Sequence, residues 1–441
     1  MPDKALILLA IQTTPTSTPQ LPAENEYFAT INQATHFDSI GCATSQMHNH
    51  FLAMGWVGRR DAKMKISKAD RGAPDPNKVV LIANSAWNLA HFRRPIIKKL
   101  VEEGLCVIAA APADGFESKI AELGARFVPL SLSPSSRSGL ADVRYLAAVV
   151  RLLRSERPDV VLSFTIKPNI FGSIAARISG IPAIATISGL GSAFIAGGVV
   201  GSIVTFLFRL SLAKCRIVFF QNSTDRDFFL SKKLVDPDKT ALVPGSGIDV
   251  VHFRPAPLPT EGPFTFLMIA RLLRDKGICE FAGASQILRD QGVVARFRIL
   301  GAVGVDNPSA VTKCQVARWV EDGLLEHIEP QDDVRPMISD SHVVVLPSYR
   351  EGLPRSLLEG AAMARPLIAA NVPGCRDVVI DGENGILCAP RSAEALAGAM
   401  LKVMKLEQAK FLAMGRAGRK IVEENFDDRL VSSAYLAAIS R

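Results

Sequence analysis

The feature that most narrows the fold is an alternation that runs, stops at a cluster of prolines, and begins again. From residue 79 onward, short apolar runs at 79–83, 106–111, 159–164 and 183–187 alternate with helical stretches at 85–103, 118–123, 140–155 and 169–179. A short, continuous apolar run is the pattern of a strand buried on both faces, and the helices between such runs supply the crossovers of a parallel, doubly wound sheet. Residues 254–263 then place prolines at 255, 257, 259 and 263. Proline fixes φ and lacks an N–H, so this density excludes helix and central strand and marks a linker. Beyond it the alternation restarts, with strands at 265–269, 296–300, 343–346 and 367–370. Helices are expected at 277–290, 311–321 and 355–364, and from 393 to the end. The reading is α/β: two Rossmann-like domains with a cleft between them, facing the carboxyl ends of both sheets.

At 441 residues the chain is too long for one ordinary domain. With 48% hydrophobic residues it has ample side chain for packed cores, which excludes disorder as its overall state. Its seven cysteines contain no C-x-x-C pair, which argues against a disulfide scaffold or zinc ribbon and suits a reducing cytoplasm. Residues 1–76 are rich in Thr, Pro, Gln, Asn and His without sustained periodicity and read as a weakly ordered extension. Met64, just ahead of the first strong strand, is an alternative start. The expected domains are then 77–253 and 264–425, joined by the 254–263 linker and followed by a final helix at 426–441.

The formal charge is +8, and all of the excess lies in residues 77–253, with 21 basic and 13 acidic side chains. No basic stripe with interleaved aromatics is present, so nucleic acid is not an expected partner. An anionic membrane surface or a pyrophosphate-bearing substrate fits better, beside the plain alternative of a solvated basic face. Residues 178–208 contain no charged side chain, a run of 31. Pro182 and several glycines break it, leaving only 199–214 to be helical, too short before Arg209 to span a bilayer. That helix reads either as buried core or as an interfacial element at the mouth of a site for a lipid-linked substrate.

The strongest chemical signal is Ser348-Tyr349-Arg350-Glu351-Gly352-Leu353-Pro354-Arg355-Ser356-Leu357-Leu358-Glu359, after a buried strand and opening a helix at Pro354 or Arg355. The free N–H groups and positive dipole end of such a helix suit a diphosphate. Glu351 in the loop can accept hydrogen bonds from sugar hydroxyls, and Glu359 lies within reach of a ribose. Arg271 and Lys276 stand at the end of the preceding strand and the start of the next helix, aimed at the same phosphates. Departure of a nucleoside diphosphate builds negative charge, which preorganised cations and amides stabilise.

Together with Pro244-Gly245-Ser246-Gly247-Ile248-Asp249 and the segment from Gly374 to Gly385, these motifs resemble glycosyltransferase family 4, a GT-B family, over residues 78–435. The resemblance implies a retaining, metal-independent hexosyltransferase that takes a UDP-sugar as substrate and uses no cofactor. It assigns Arg271, Lys276 and Glu351 to catalysis. Donor binding falls to the same three with Gly352, Leu353, Pro354 and Glu359. It also implies a last helix crossing back to the first domain. Within the family the first domain resembles bacterial enzymes that extend undecaprenyl-diphosphate-linked sugars, N-acetylgalactosaminyltransferases among them. The stretches concerned are 84–94, 164–169 and 186–191. Arg93, Arg94, Lys167, Asn169, Ser188, Gly189 and Gly191 are the acceptor residues so implied, the cations reading either as pyrophosphate ligands or as solvated helix starts. Many relatives carry His-Gly where this chain has Ser188-Gly189, so no general base is assigned. The partners implied are a nucleotide sugar, a lipid-linked saccharide and the inner leaflet of the cytoplasmic membrane. The product would be a surface polysaccharide or glycan.

Other readings compete with this one. A nicotinamide dehydrogenase wants G-x-G-x-x-G after its first strand, and the nearest match, from Gly189, ends in Phe194. A metal-dependent transferase wants Asp-x-Asp. Asp225-Arg226-Asp227 reads better as a helix start behind Ser223 or Thr224, and Asp236-Pro237-Asp238 qualifies only formally. A GT-B UDP-sugar epimerase, or a family 4 transferase with a non-lipid acceptor, remains the alternative.

Overall fold

The computed structural model describes residues 77–132, 139–189, 198–305 and 307–440, so the 1–76 extension and Gly191 lie outside the described residues. The first sheet contains β1 (Lys78–Ile82), β2 (Cys106–Ala111), β3 (Arg126–Pro129), β4 (Val160–Phe164), β5 (Ala183–Ile187), β6 (Ile217–Phe220) and β7 (Thr240–Leu242). Their order is β3-β2-β1-β4-β5-β6-β7, and every neighbouring pair is parallel. The helices of this half are α1 (Ala86–Phe92), α2 (Arg94–Glu102), α3 (Glu117–Glu122), α4 (Gly139–Glu156), α5 (Ser173–Ser179), α6 (Gly198–Leu212) and α7 (Ser223–Ser231). Successive side chains of a strand point to opposite faces. Val80 and Ile82 therefore enter one core with α4 and α5, and Val79 and Leu81 the other with α1 and α2.

The second sheet contains β8 (Phe264–Ile269), β9 (Ala295–Leu300), β10 (Glu326–Ile328), β11 (Val343–Leu346), β12 (Leu367–Ala370) and β13 (Gly385–Cys388). Its order, β10-β9-β8-β11-β12-β13, is again wholly parallel. Around it lie α8 (Ile278–Asp290), α9 (Lys313–Glu321), α10 (Arg335–Ser339), α11 (Arg355–Ala362), α12 (Ala393–Met404) and α13 (Gln408–Asn425). The last helix, α14 (Asp428–Ile439), leaves this half. Val431, Tyr435 and Ile439 pack into the first domain's core beside α2, and Tyr435 Oη lies 2.6 Å from Thr186 Oγ1. The chain thus passes between the halves twice, and the two passages pair. Ile248 N–H donates to the Phe426 carbonyl at 2.8 Å, and Asp428 N–H to the Ile248 carbonyl at 3.1 Å.

The α/β class and the two Rossmann-like halves are as expected; several elements differ in detail. The single helix expected at 85–103 is two, broken at Arg93 (φ −114°, ψ 4°), just before Pro95. The helix expected at 169–179 begins as a π turn over Pro168–Gly172. The cap of α7 is Asn222, one residue earlier than Ser223, and its side-chain oxygen accepts from Asp225 N–H at 2.7 Å. Strands β3, β6, β7, β10 and β13 were not read from the sequence. β3 and β10 open on the charged residues Arg126 and Glu326 and β7 on Thr240, which leaves no continuous apolar run in these three.

Candidate active site

Each sheet reverses its winding direction once, between β1 and β4 in the first and between β8 and β11 in the second. Such switch points leave a crevice at the carboxyl ends of the strands, where α/β proteins bind ligands. In the second domain, the loops after β8 and β11 run side by side. Gly277 has φ +77°, and a Cβ on it would lie 2.1 Å from the Pro347 carbonyl oxygen, so only glycine allows this approach. Tyr349 N–H and Ser348 Oγ–H both donate to the Asp275 carbonyl, at 2.9 and 3.0 Å. The stitched loops bring the Lys276 ammonium onto the Glu351 carboxylate, an ion pair whose side chains are 22% and 11% exposed. Glu351 is also held through its backbone, its N–H donating to the Pro373 carbonyl at 3.2 Å.

Helix α11 begins immediately after this loop, with Pro354 at its N-cap and no side-chain cap, so the N–H groups of its first turn have no side-chain acceptor. Glu359, one turn in, is buried and accepts from Arg355 Nε at 2.8 Å. Burial pushes its carboxyl pKa up, and the adjacent Arg355 opposes that. Arg271 is exposed at the start of the β8 loop.

In the first domain the crevice is lined differently. Thr165, just beyond β4, has φ +70°, a strained conformation for a β-branched residue. Asn84 Oδ1, Asn88 Oδ1, Ser163 Oγ, Thr165 Oγ1 and the Nε and Nη1 of Arg93 are buried without a hydrogen-bond partner among the described residues. All belong to the carboxyl ends of β1 and β4 or the helices that follow β1. Buried polar atoms without protein partners at a switch point call for water or a polar ligand to satisfy them.

The residues singled out in the sequence divide accordingly. Lys276, Glu351, Gly352, Ser188 and Gly189 come together. A Cβ on Gly352 would lie 2.1 Å from the Ser188 carbonyl oxygen, so the two domains touch at this point. Leu353 packs against Gly245 of the interdomain loop. Arg93 is no solvated helix start: it is 2% exposed, with its guanidinium 4.3 Å from the Phe164 ring centre. Burial lowers its pKa. Arg94 is exposed. Lys167 and Asn169 are already engaged by protein. Lys167 pairs with Asp142 at 2.8 Å, and the buried Asn169 amide donates to the Thr186 carbonyl at 2.7 Å.

Sequence reasoning passed over the residues that tie the domains together. Arg355 Nη1 donates across the cleft to the His91 carbonyl at 2.7 Å. Arg350 pairs with Asp225, and Asn222 Nδ2 donates to the Gly352 carbonyl at 2.8 Å. The spacing Asn222-x-x-Asp225 is a helix-capping signal that was available in the sequence; the partners across the cleft were not. The two Asp-x-Asp motifs do not converge on one point. Asp225 is buried towards Arg350, Asp227 is exposed beside Arg226, and Asp236 caps the turn Pro237–Lys239.

Residues 263–405 match the family described as Glycosyl transferases group 1, and residues 91–246 match the Glycosyl transferase 4-like domain. The chain is a glycosyltransferase built of these two domains, a 4-like one followed by a group 1 one. Among relatives of the transferase is the N,N′-diacetylbacillosaminyl-diphospho-undecaprenol alpha-1,3-N-acetylgalactosaminyltransferase of Campylobacter jejuni. It is 25% identical over 381 residues, which is 82% of this chain and 98% of that one. The UDP-Gal:alpha-D-GlcNAc-diphosphoundecaprenol alpha-1,3-galactosyltransferase of Escherichia coli is 26% identical over 60% of this chain and 71% of its own length. In fold, the transferase superposes on Anabaena HepE, solved with UDP and glucose, with a TM-score of 0.69 at 16% identity. The match covers 83% of this chain and 99% of that one.

Proposed function

We propose that this glycosyltransferase moves an N-acetylhexosamine, GalNAc being favoured, from its UDP-sugar to an undecaprenyl-diphosphate-linked saccharide, with retention and without a metal. The observation that carries the donor half is the Lys276–Glu351 pair, set between two stitched loops beside the uncapped start of α11. A diphosphate at that position meets the Lys276 ammonium, the Arg271 guanidinium and the free N–H groups of α11. The Glu351 carboxylate then faces the sugar and Glu359 the ribose. In the transfer, the bond from the sugar's C1 to the UDP oxygen breaks, and the acceptor oxygen bonds to C1 on the same face. The acceptor's hydroxyl proton passes to the departing phosphate, so Ser188 in place of a basic side chain is no obstacle.

The orphaned polar group at the β1/β4 crevice supports a polar acceptor in the first domain. The names of the C. jejuni and E. coli relatives, both acting on undecaprenyl-diphosphate sugars, support its lipid anchor and a role in surface polysaccharide or glycan assembly. No helix among the described residues is long and apolar enough to cross a membrane. A surface of the first domain suits contact with one from the cytoplasmic side. Val143, Ala147 and Val150 of α4 and Ile178 of α5 line a groove flanked by Arg151 and Arg154, and α6 adds the exposed Phe206 and Leu210. Apolar side chains ringed by cations are what an anionic leaflet attracts. The deciding experiment incubates the purified protein with synthetic undecaprenyl-diphospho-sugar and a panel of labelled UDP-sugars, with and without EDTA. Lipid product from UDP-GalNAc in both conditions is expected. Loss with EDTA would remove the metal-free reading, and product from another donor alone would remove GalNAc.

A further inference from the structure

The aspartate that a metal-dependent transferase would have used has another task in this fold. Asp225 stands in the first turn of α7, 1% exposed, and both its carboxylate oxygens are taken. Oδ2 accepts from Asn222 Nδ2 at 3.1 Å, and Oδ1 accepts from Arg350 Nη2 across the cleft. Among the described residues Asp225 is the one acceptor for the Arg350 guanidinium, whose Nε is buried without a partner. Asn222, the cap of the same helix, sends its amide to the Gly352 carbonyl at 2.8 Å. Arg350 and Gly352 flank Glu351. The first domain therefore grips the donor loop on both sides of the carboxylate assigned to the sugar, while Lys276 of the second domain holds that carboxylate itself.

We propose that Asp225 and Asn222 are positioning residues for the transfer reaction, forming an interdomain latch that sets Glu351 in place only when the two domains are closed. The inference rests on the donor reading of the 348–354 loop. The contacts are mutually dependent. Asp225 and Asn222 share the start of α7, and Arg350 and Gly352 share one loop of the second domain, so domain opening parts Arg350 from Asp225 and Asn222 from Gly352 in one movement. The diphosphate pocket lies wholly within the second domain and does not depend on the latch. UDP then binds open and closed forms alike, whereas the grip on the sugar needs closure.

The test uses the full-length protein carrying Asp225→Asn, Arg350→Gln, both together, or Asn222→Ser, which keeps a capping oxygen but removes the amide that reaches Gly352. Affinity for UDP is measured by calorimetry, steady-state transfer with UDP-sugar and lipid acceptor, and thermal unfolding alongside. Each single variant is expected to lose at least tenfold in kcat with UDP affinity within threefold of wild type. The double variant should be no worse than the poorer single. Near-wild-type kcat, effects of the two substitutions that multiply, or UDP affinity falling in step with turnover would each overturn the latch. Arg350 is partly exposed, so Arg350→Gln and Asn222→Ser decide the matter even where Asp225→Asn does not fold. Failure of wild-type protein to bind UDP, or undiminished binding by Lys276→Ala, would instead overturn the donor reading.

Discussion

Glu351 shows how one side chain's chemistry depends on its neighbours. Exposed, it would be an ordinary carboxylate. Here it is 11% exposed, ion-paired to Lys276 and tethered through its backbone to Pro373. Preorganised charges of this kind cost nothing to arrange at the moment of reaction, and losing one costs about 3 kcal/mol. Lys276→Ala and Glu351→Ala should each lower turnover about 100-fold while unfolding at nearly the wild-type temperature; rates close to wild type would remove them from the site. Asp428, at the start of α14, belongs to the interdomain crossing. Burial pushes its pKa up from 3.8 to about 6, with Asp249 and Asp427 adding to the rise and Arg355 and Arg429 opposing it. The folded protein thus keeps a proton that the unfolded chain releases earlier. This group's stabilising contribution is fully present below about pH 4 and is lost as pH rises through about 6. Asp428→Asn should therefore stabilise the protein near pH 7.5 by about 1 kcal/mol, discounted for partial solvent exposure, with no gain below about pH 4. Melting curves across that range check it; a gain independent of pH would exonerate the carboxylate charge.

At the scale of elements, legibility in the sequence followed burial. The strands β2, β5, β11 and β12 have the expected boundaries because continuous apolar runs, forced by burial on both faces, have clear ends. The break at Arg93 carried a signal in Pro95, which favours the first turn of a new helix, but the burial of Arg93 on the distant Phe164 ring left no local trace. The proline segment was legible as irregular chain, but its attachment was not. Arg365, fully buried, donates to the carbonyls of Ala256, Pro257, Ile338 and Ser339 at 2.7–3.1 Å. Burial brings its pKa down to about 10. A segment rich in proline has few N–H groups to bond with, so its carbonyls depend on a side chain for partners. Arg365→Met fills much of the volume but strands those carbonyls, and should cost about 3 kcal/mol in denaturant unfolding. A loss under about 0.5 kcal/mol would show that water replaces the guanidinium.

Over the whole molecule, charge and architecture divide the labour. The first domain carries the entire net positive charge and the exposed apolar side chains of α4, α5 and α6, while residues 254–441 balance at 23 basic and 23 acidic. Binding to vesicles of anionic lipid should fall steeply between low and physiological salt. Replacing Arg151 and Arg154 with Gln should weaken it severalfold; sedimentation unaffected by either change would dismiss the surface. On the proposed placement of the donor in the second domain, UDP affinity should not respond to those substitutions. The sequence alone was enough for the α/β class, the pause at the prolines, and the segments holding Arg271, Lys276, Glu351 and Glu359, because each is written in neighbouring residues. Only tertiary structure decided that Arg350 meets Asp225, that Arg355 reaches the His91 carbonyl, and that Arg93 is buried. These contacts join residues 125 and 264 positions apart or bury a charge under a distant ring. Local pattern records which face of an element is apolar; which element lies opposite is settled only when the two lobes close on each other.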